Sequence, residues 1–250
     1  MTGAAANGLD GRVALVTGGA RRVGAEIVRA LHGAGARVLI HCHTSGEAAR
    51  ALAAELNATR PASAAMLEAD LLDAQAPTRL IEGTLERYGQ LDILVNNAST
   101  FYATPIGRIG AADWDDLMGT NLRAPLFLSQ AAAAPLTARQ GLILNLIDIH
   151  GLRPLKRFAL YSAAKAGLAM LTRALARELA PAVRVNGIAP GPVLWPEQEM
   201  EESLKREIID KTALKRPGSP ADIARAALFF AQSAPYVTGQ ILAVDGGRSV

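Results

Sequence analysis

Seven short apolar runs punctuate the chain, and apolar positions in the stretches between them recur every three or four residues. The runs cover residues 13–17, 37–41, 64–69, 91–95, 141–147, 183–189 and 241–244. They are apolar at successive positions, not alternating ones, as expected of strands covered by helices on both faces. The helical pattern runs from the turn at 18–24 to about 34, then over 47–56, 77–88, 112–139, 161–179 and 220–232. Pro181 lies just beyond the fifth of these and stops it. The stretch 190–217 is polar and reads as a mobile lid at the crevice rim. Strand and helix alternate with no linker and no internal repeat. The pattern therefore predicts one doubly wound α/β domain over 1–250, with a seven-stranded, mostly parallel sheet and helices on both faces.

Composition changes this picture little. The chain has 250 residues, half of them hydrophobic, enough for one large core. Its net charge of +3 is spread along the chain without a basic run, so anionic small molecules are expected as ligands and nucleic acid is not. A single cysteine, Cys42, excludes an internal disulfide and fits a reducing compartment. Residues 1–10 lack the basic and apolar regions of a signal peptide, and no run is long enough for a membrane span. A cytoplasmic protein is expected, with no membrane partner and no metal.

Candidate chemistry concentrates where the fifth run meets its helix. Tyr161 and Lys165 lie four apart, one turn along a helical face. Asp148 follows the strand, at the carboxyl edge where open α/β sheets place their ligand crevice. A carboxyl, a phenol and an ammonium can meet there. Asp148 as a simple turn cap, and Tyr161 and Lys165 as a solvated face, are the plainer readings. At the other end of the crevice, Gly18 to Gly24 turns the first strand into a helix whose free N–H groups favour an anion. The second strand ends in His41-Cys-His-Thr-Ser45, where a carboxylate would be needed for a ribose 2′-hydroxyl. Hydroxyls and imidazoles, with Arg21 in reach, suit a 2′-phosphate and so NADP(H).

Taken together, Thr17-Gly18 through Gly24, Asp70, Asn96-Asn97-Ala98, Asn121, Tyr161 with Lys165, Asn186 and Pro190-Gly191 resemble the short-chain dehydrogenase/reductase family along nearly the whole chain. That resemblance implies a Rossmann domain, a proton-exchanging Tyr161, a ribose-binding Lys165 that lowers the phenol pKa, and an Asn121 that helps hold a relay water. Two positions depart from the common pattern: Asp148 stands where the family usually has Ser, and Arg22 where it usually has Gly. Both are similar to the pteridine reductase branch, as are His41-Cys-His and Asn97-Ala-Ser-Thr-Phe-Tyr102 with Pro105. Thr44 is a mismatch, since that branch often has Arg there to hold the 2′-phosphate.

The resemblance implies NADP(H) held by Gly18, Arg21, Arg22, Val23, Gly24, His41, His43, Thr44, Ser45, Asp70, Leu71, Asn97, Ala98, Ser99, Tyr161, Lys165, Pro190, Gly191 and Val193. It implies a pterin held by Arg22, Ser99, Phe101, Asp148, Tyr161, Leu194 and Trp195, with Phe101 stacking the ring. Phe101 reads equally as a loop hydrophobe, and Trp195 as a lid or a subunit contact. The family ending at 244–250 leaves open whether Arg248 reaches a neighbouring subunit. A homotetramer packed through the helices from 112 and 161 is also implied.

The expected activity is NADPH-dependent reduction of pterins, possibly including dihydrofolate, with Tyr161 as proton donor. An anionic Asp148 keeps the phenol protonated, so reduction is expected to strengthen as pH falls below neutral. A carbonyl reductase of 3-oxoacyl or sugar ketones is the alternative, and a silent NADPH-binding regulator is one of another class.

Overall fold

The computed structural model describes residues 8–195 and 200–250. Its elements follow in chain order: β1 (Val13–Val16), α1 (Arg22–Gly33), β2 (Arg37–Cys42), α2 (Gly46–Thr59), β3 (Ala64–Glu68) and α3 (Ala76–Tyr88). Then come β4 (Ile93–Asn96), α4 (Ala111–Met118), α5 (Ala124–Arg139), β5 (Leu142–Leu146), α6 (Ala159–Glu178) and β6 (Arg184–Pro190). The chain closes with α7 (Glu202–Asp210), α8 (Pro220–Leu228) and β7 (Ile241–Val244). All seven strands form one sheet in the order β3-β2-β1-β4-β5-β6-β7, and every neighbouring pair is parallel.

The apolar runs fold this way because each strand feeds two cores. Along β1, Val13 and Leu15 face one side, and Ala14 and Val16 the other. The first pair packs with Leu80 and Ile81 of α3, Leu128 and Leu136 of α5, and Leu175 of α6. The second packs with Ile27 and Leu31 of α1, Leu52 of α2, and Ile223 of α8. Burying both faces removes the alternation that a one-sided sheet would show. Among the described residues, no helix is long and apolar enough to cross a membrane.

Strand order reverses between β1 and β4, which opens a crevice at their carboxyl ends. Thr17 ties the two sides together there, its hydroxyl oxygen accepting from the N–H groups of Asn97 (2.9 Å) and Ala98 (3.1 Å).

Two predicted elements differ in detail. The helix expected over 112–139 is broken into α4 and α5 by a π-helical turn at Gly119–Arg123. Such turns insert a residue that the 3.6 period cannot announce. The stretch 190–217 is not uniformly irregular, because it contains α7, none of whose residues is buried. Its apolar residues, Leu204, Ile208 and Ile209, do recur at helical spacing, but they are few among charged neighbours and the polar character of the stretch hides them. Residues 196–199 of the expected lid lie outside the described residues.

Candidate active site

The parallel sheet sends the loops after β1 to β6 to one edge, so the predicted residues gather there. Gly18 has φ +59. A Cβ on Gly24 would lie 2.1 Å from the carbonyl oxygen of Gly18, so only glycine lets α1 start against this turn. No side chain caps α1 and no acidic residue stands in its first turn, which leaves its N–H groups for a phosphate. Arg22 stands in left-handed backbone at φ +52, a conformation costing a non-glycine residue on the order of 1 kcal/mol. Its guanidinium donates to the carbonyl of Trp195 at 3.0 Å, bringing the start of the lid segment over the glycine-rich turn.

At the catalytic end, Asp148 uses each oxygen separately. Oδ1 accepts from the backbone N–H of His150 at 2.8 Å, and Oδ2 accepts from the Tyr161 hydroxyl at 2.8 Å. The turn cap and the phenol contact, alternatives in sequence, are both real. Burial drives the Tyr161 pKa well above its ordinary 10.0, and the negative charge and hydrogen bond of Asp148 add to it; the Ser99 hydroxyl works the other way. The phenol is therefore protonated at neutral pH.

Lys165 is fully buried, and burial lowers its pKa to about 8 while Asp148 opposes the fall. Its ammonium donates to the carbonyl of Leu146 at 2.9 Å and lies 5.7 Å from the centre of the Tyr161 ring. An ammonium carries three donors, so buried donor capacity remains for a ribose diol.

β5 and α6 are pinned together behind these groups. Asn96 donates to Asn145 Oδ1 at 2.8 Å, Asn145 donates to Thr172 Oγ1 at 2.9 Å, and Thr172 donates to the carbonyl of Leu168. This buried ladder sets how the strand delivering Asp148 meets the helix delivering Tyr161 and Lys165.

One expected role needs correction. His41 is not placed to touch a 2′-phosphate: it is 1% exposed, and both ring nitrogens are engaged inside the protein. His43 and Thr44 are exposed beyond β2, with Ser45 half-buried. Asn121 sits in the π-turn, and its amide is spent on its surroundings. Its Oδ1 accepts from Ser99 at 2.6 Å, and its Nδ2 donates to the carbonyls of Thr100 and Leu117, each at 3.0 Å. Its side chain thus fixes the Ser99–Thr100 loop.

That loop carries Phe101, whose ring stacks on Phe158 at 4.6 Å and meets Tyr161 edge-on at 4.8 Å. Phe158 was not singled out from sequence; its place three residues before Tyr161, at the entry to α6, was the available signal. Asp70 accepts from the N–H of Leu72 beside buried Leu71. Gly191 donates to the carbonyl of Val244, and Gly218 to that of Pro192, which anchors the strand-end segment holding Pro190 and Val193. Leu194 is exposed and Trp195 half-buried.

The donor set matches a dinucleotide: uncapped helix N–H groups for phosphate at one end, a buried ammonium and a phenol at the other. The comparisons agree. The sequence model of the enoyl-(acyl carrier protein) reductase family matches residues 18–249. The chain is 37% identical to pteridine reductase 1 of Leishmania tarentolae, over 95% of this chain and 96% of that one. It is 36% identical to a 3-oxoacyl-[acyl-carrier-protein] reductase of Synechocystis, over 96% and 97% of the two chains. Among solved structures it superimposes, at a TM-score of 0.91 and 35% identity, on a metagenomic blue fluorescent protein in complex with NADPH, covering 97% and 99% of the two chains.

Proposed function

This chain belongs to the short-chain dehydrogenase/reductase family and binds NADP(H), and from that premise we propose that it is a pteridine reductase. The substrates are biopterin-like or monapterin-like pterins and dihydrofolate. The observation that carries this reading is the hydrogen bond from the Tyr161 hydroxyl to Asp148, made beside the ring of Phe101. A ketone reductase has to stabilise a developing oxyanion, which a carboxylate opposes. Reduction of a C=N bond needs a proton at nitrogen instead, and here a phenol is kept protonated for that purpose.

When bound, the cofactor supplies the hydride. The protein does the rest. Phe101 offers an aromatic surface to a flat heterocycle, and Asp148 and Ser99 offer polar groups to its edge. Tyr161 passes its proton to a ring nitrogen. Lys165, beneath the phenol ring, offsets the negative charge left on the oxygen. Arg22 and Trp195 close the side facing the glycine-rich turn. Exposed Trp114, Leu126, Phe127 and Met170 on α4, α5 and α6 form the contacts of a homotetramer.

The 3-oxoacyl reductase reading is kept by the near-equal identity to the Synechocystis enzyme. One assay separates them: NADPH oxidation with dihydrobiopterin, dihydromonapterin and dihydrofolate, alongside an acetoacetyl thioester. Turnover on the pterins is expected, falling by roughly 10²-fold in Asp148→Ser. Turnover on the thioester alone overturns the pterin reading.

A further inference from the structure

His41 is buried at the end of β2, and nothing in the proton-transfer chemistry uses it. Its ring lies between two loops that flank the crevice. Nδ1 accepts from the N–H of Gly18, in the glycine-rich turn, at 3.1 Å. Nε2 reaches the carbonyl of Ala69, at the end of β3 and next to Asp70 and Leu71, at 3.0 Å. The backbone carbonyl of His41 accepts from Gly19 as well, at 2.9 Å. An Nδ1 that accepts an N–H while Nε2 donates to a carbonyl fixes the neutral Nε2–H tautomer. Burial lowers the pKa of this imidazole, and the nearby His43 lowers it further; Asp70 and the Ala69 bond act in the opposite direction, and the net effect favours the neutral ring.

We propose that His41 is a positioning residue for the cofactor: it braces the phosphate-binding turn against the 69–71 loop and does not itself read the 2′-phosphate. With His41 in place, the N–H of Gly18 is held in the direction the turn needs. The spacing between turn and loop, which flank the adenosine half of a dinucleotide, is set before that half arrives. The brace therefore acts on features common to NADPH and NADH. It leaves discrimination between the two to the exposed residues beyond β2.

The test is calorimetric titration of the intact protein with NADPH and with NADH, well below its melting temperature. His41→Leu is expected to raise both dissociation constants in parallel, by about tenfold, with their ratio unchanged. His41→Asn keeps an acceptor at the Nδ1 position and is expected to recover most of the affinity. His41→Gln keeps only the reach toward Ala69 and is expected to resemble His41→Leu. If His41→Leu does not fold, the Asn and Gln variants decide the matter by their order. Loss of NADPH affinity with NADH binding preserved overturns the proposal, because the imidazole would then be reading the 2′-phosphate. Wild-type affinity for both cofactors in all variants, or any other order of Asn and Gln, overturns it too.

Discussion

Lys165 shows at the scale of one residue how function is set against stability. An ammonium with an ordinary pKa of 10.5 is lowered to about 8 by burial. Between those values the unfolded chain holds a proton that the folded chain does not, so this group's contribution to folding stability rises with pH across the window. Below pH 8 both states are charged, and the buried charge is a standing cost. Lys165→Met is thus expected to stabilise the cofactor-free protein at pH 7 by roughly 1–3 kcal/mol, seen as a higher Tm, while abolishing reductase activity. In the wild type, turnover should fall as pH is raised through about 8, where the ammonium loses its proton. Tyr161 contributes no such limb, its pKa lying well above 10.0. A rate that climbs from pH 8 upward would contradict this assignment. Tyr161, Lys165 and Asp148 were legible in the sequence because their places on one helix and one strand end coincided with the resemblance carried by the surrounding motifs. His41 was misread for the opposite reason. A histidine at a strand end looks the same whether its ring points to a ligand or under a neighbouring turn.

The element that matters most is the pair β5 and α6, because it sets the distance between carboxylate and phenol. Thr172 stands seven residues beyond Lys165, two turns along the same helical face, and receives the amide of Asn145. Thr172→Val removes that acceptor and leaves a buried N–H without a partner, a loss of about 1–3 kcal/mol. The expected result is a lower Tm together with a reduced kcat at little-changed KM for NADPH, since the helix shifts against the strand without altering the phosphate end. A kcat equal to wild type would show that the ladder only stabilises. The π-turn holding Asn121 belongs to this scale as well. Its sequence reads as uninterrupted helix, and only packing against Ser99, Thr100 and Leu72 shows why the turn widens there.

At the scale of the whole molecule, one set of exposed apolar side chains lies on α4, α5 and α6, where Trp114 is 55% and Met170 61% exposed. Phe127→Glu on α5 is expected to dissociate the proposed homotetramer, measured as molar mass by light scattering against the wild type; a variant tetramer of unchanged mass would move the interface elsewhere. The opposite end of the sheet has a different character. There Asp92, 1% exposed, accepts from Arg12, Arg139 and the N–H of Val13, joining strand starts without any opening toward the crevice. The fold thus divides into an amino edge tied by charge and a carboxyl edge left available for ligands.

The order of strands and helices, the parallel sheet and the chemical inventory of the crevice were determined by the sequence itself. Apolar periodicity and strand-end residues are local properties, readable wherever the chain repeats them. Which oxygen of Asp148 meets Tyr161, that the amide of Asn121 is already spent, that Phe158 backs Phe101 and that His41 braces Gly18 were decided only in three dimensions. Each depends on a contact between residues distant in sequence, or on the direction a side chain takes once both faces of the sheet are covered.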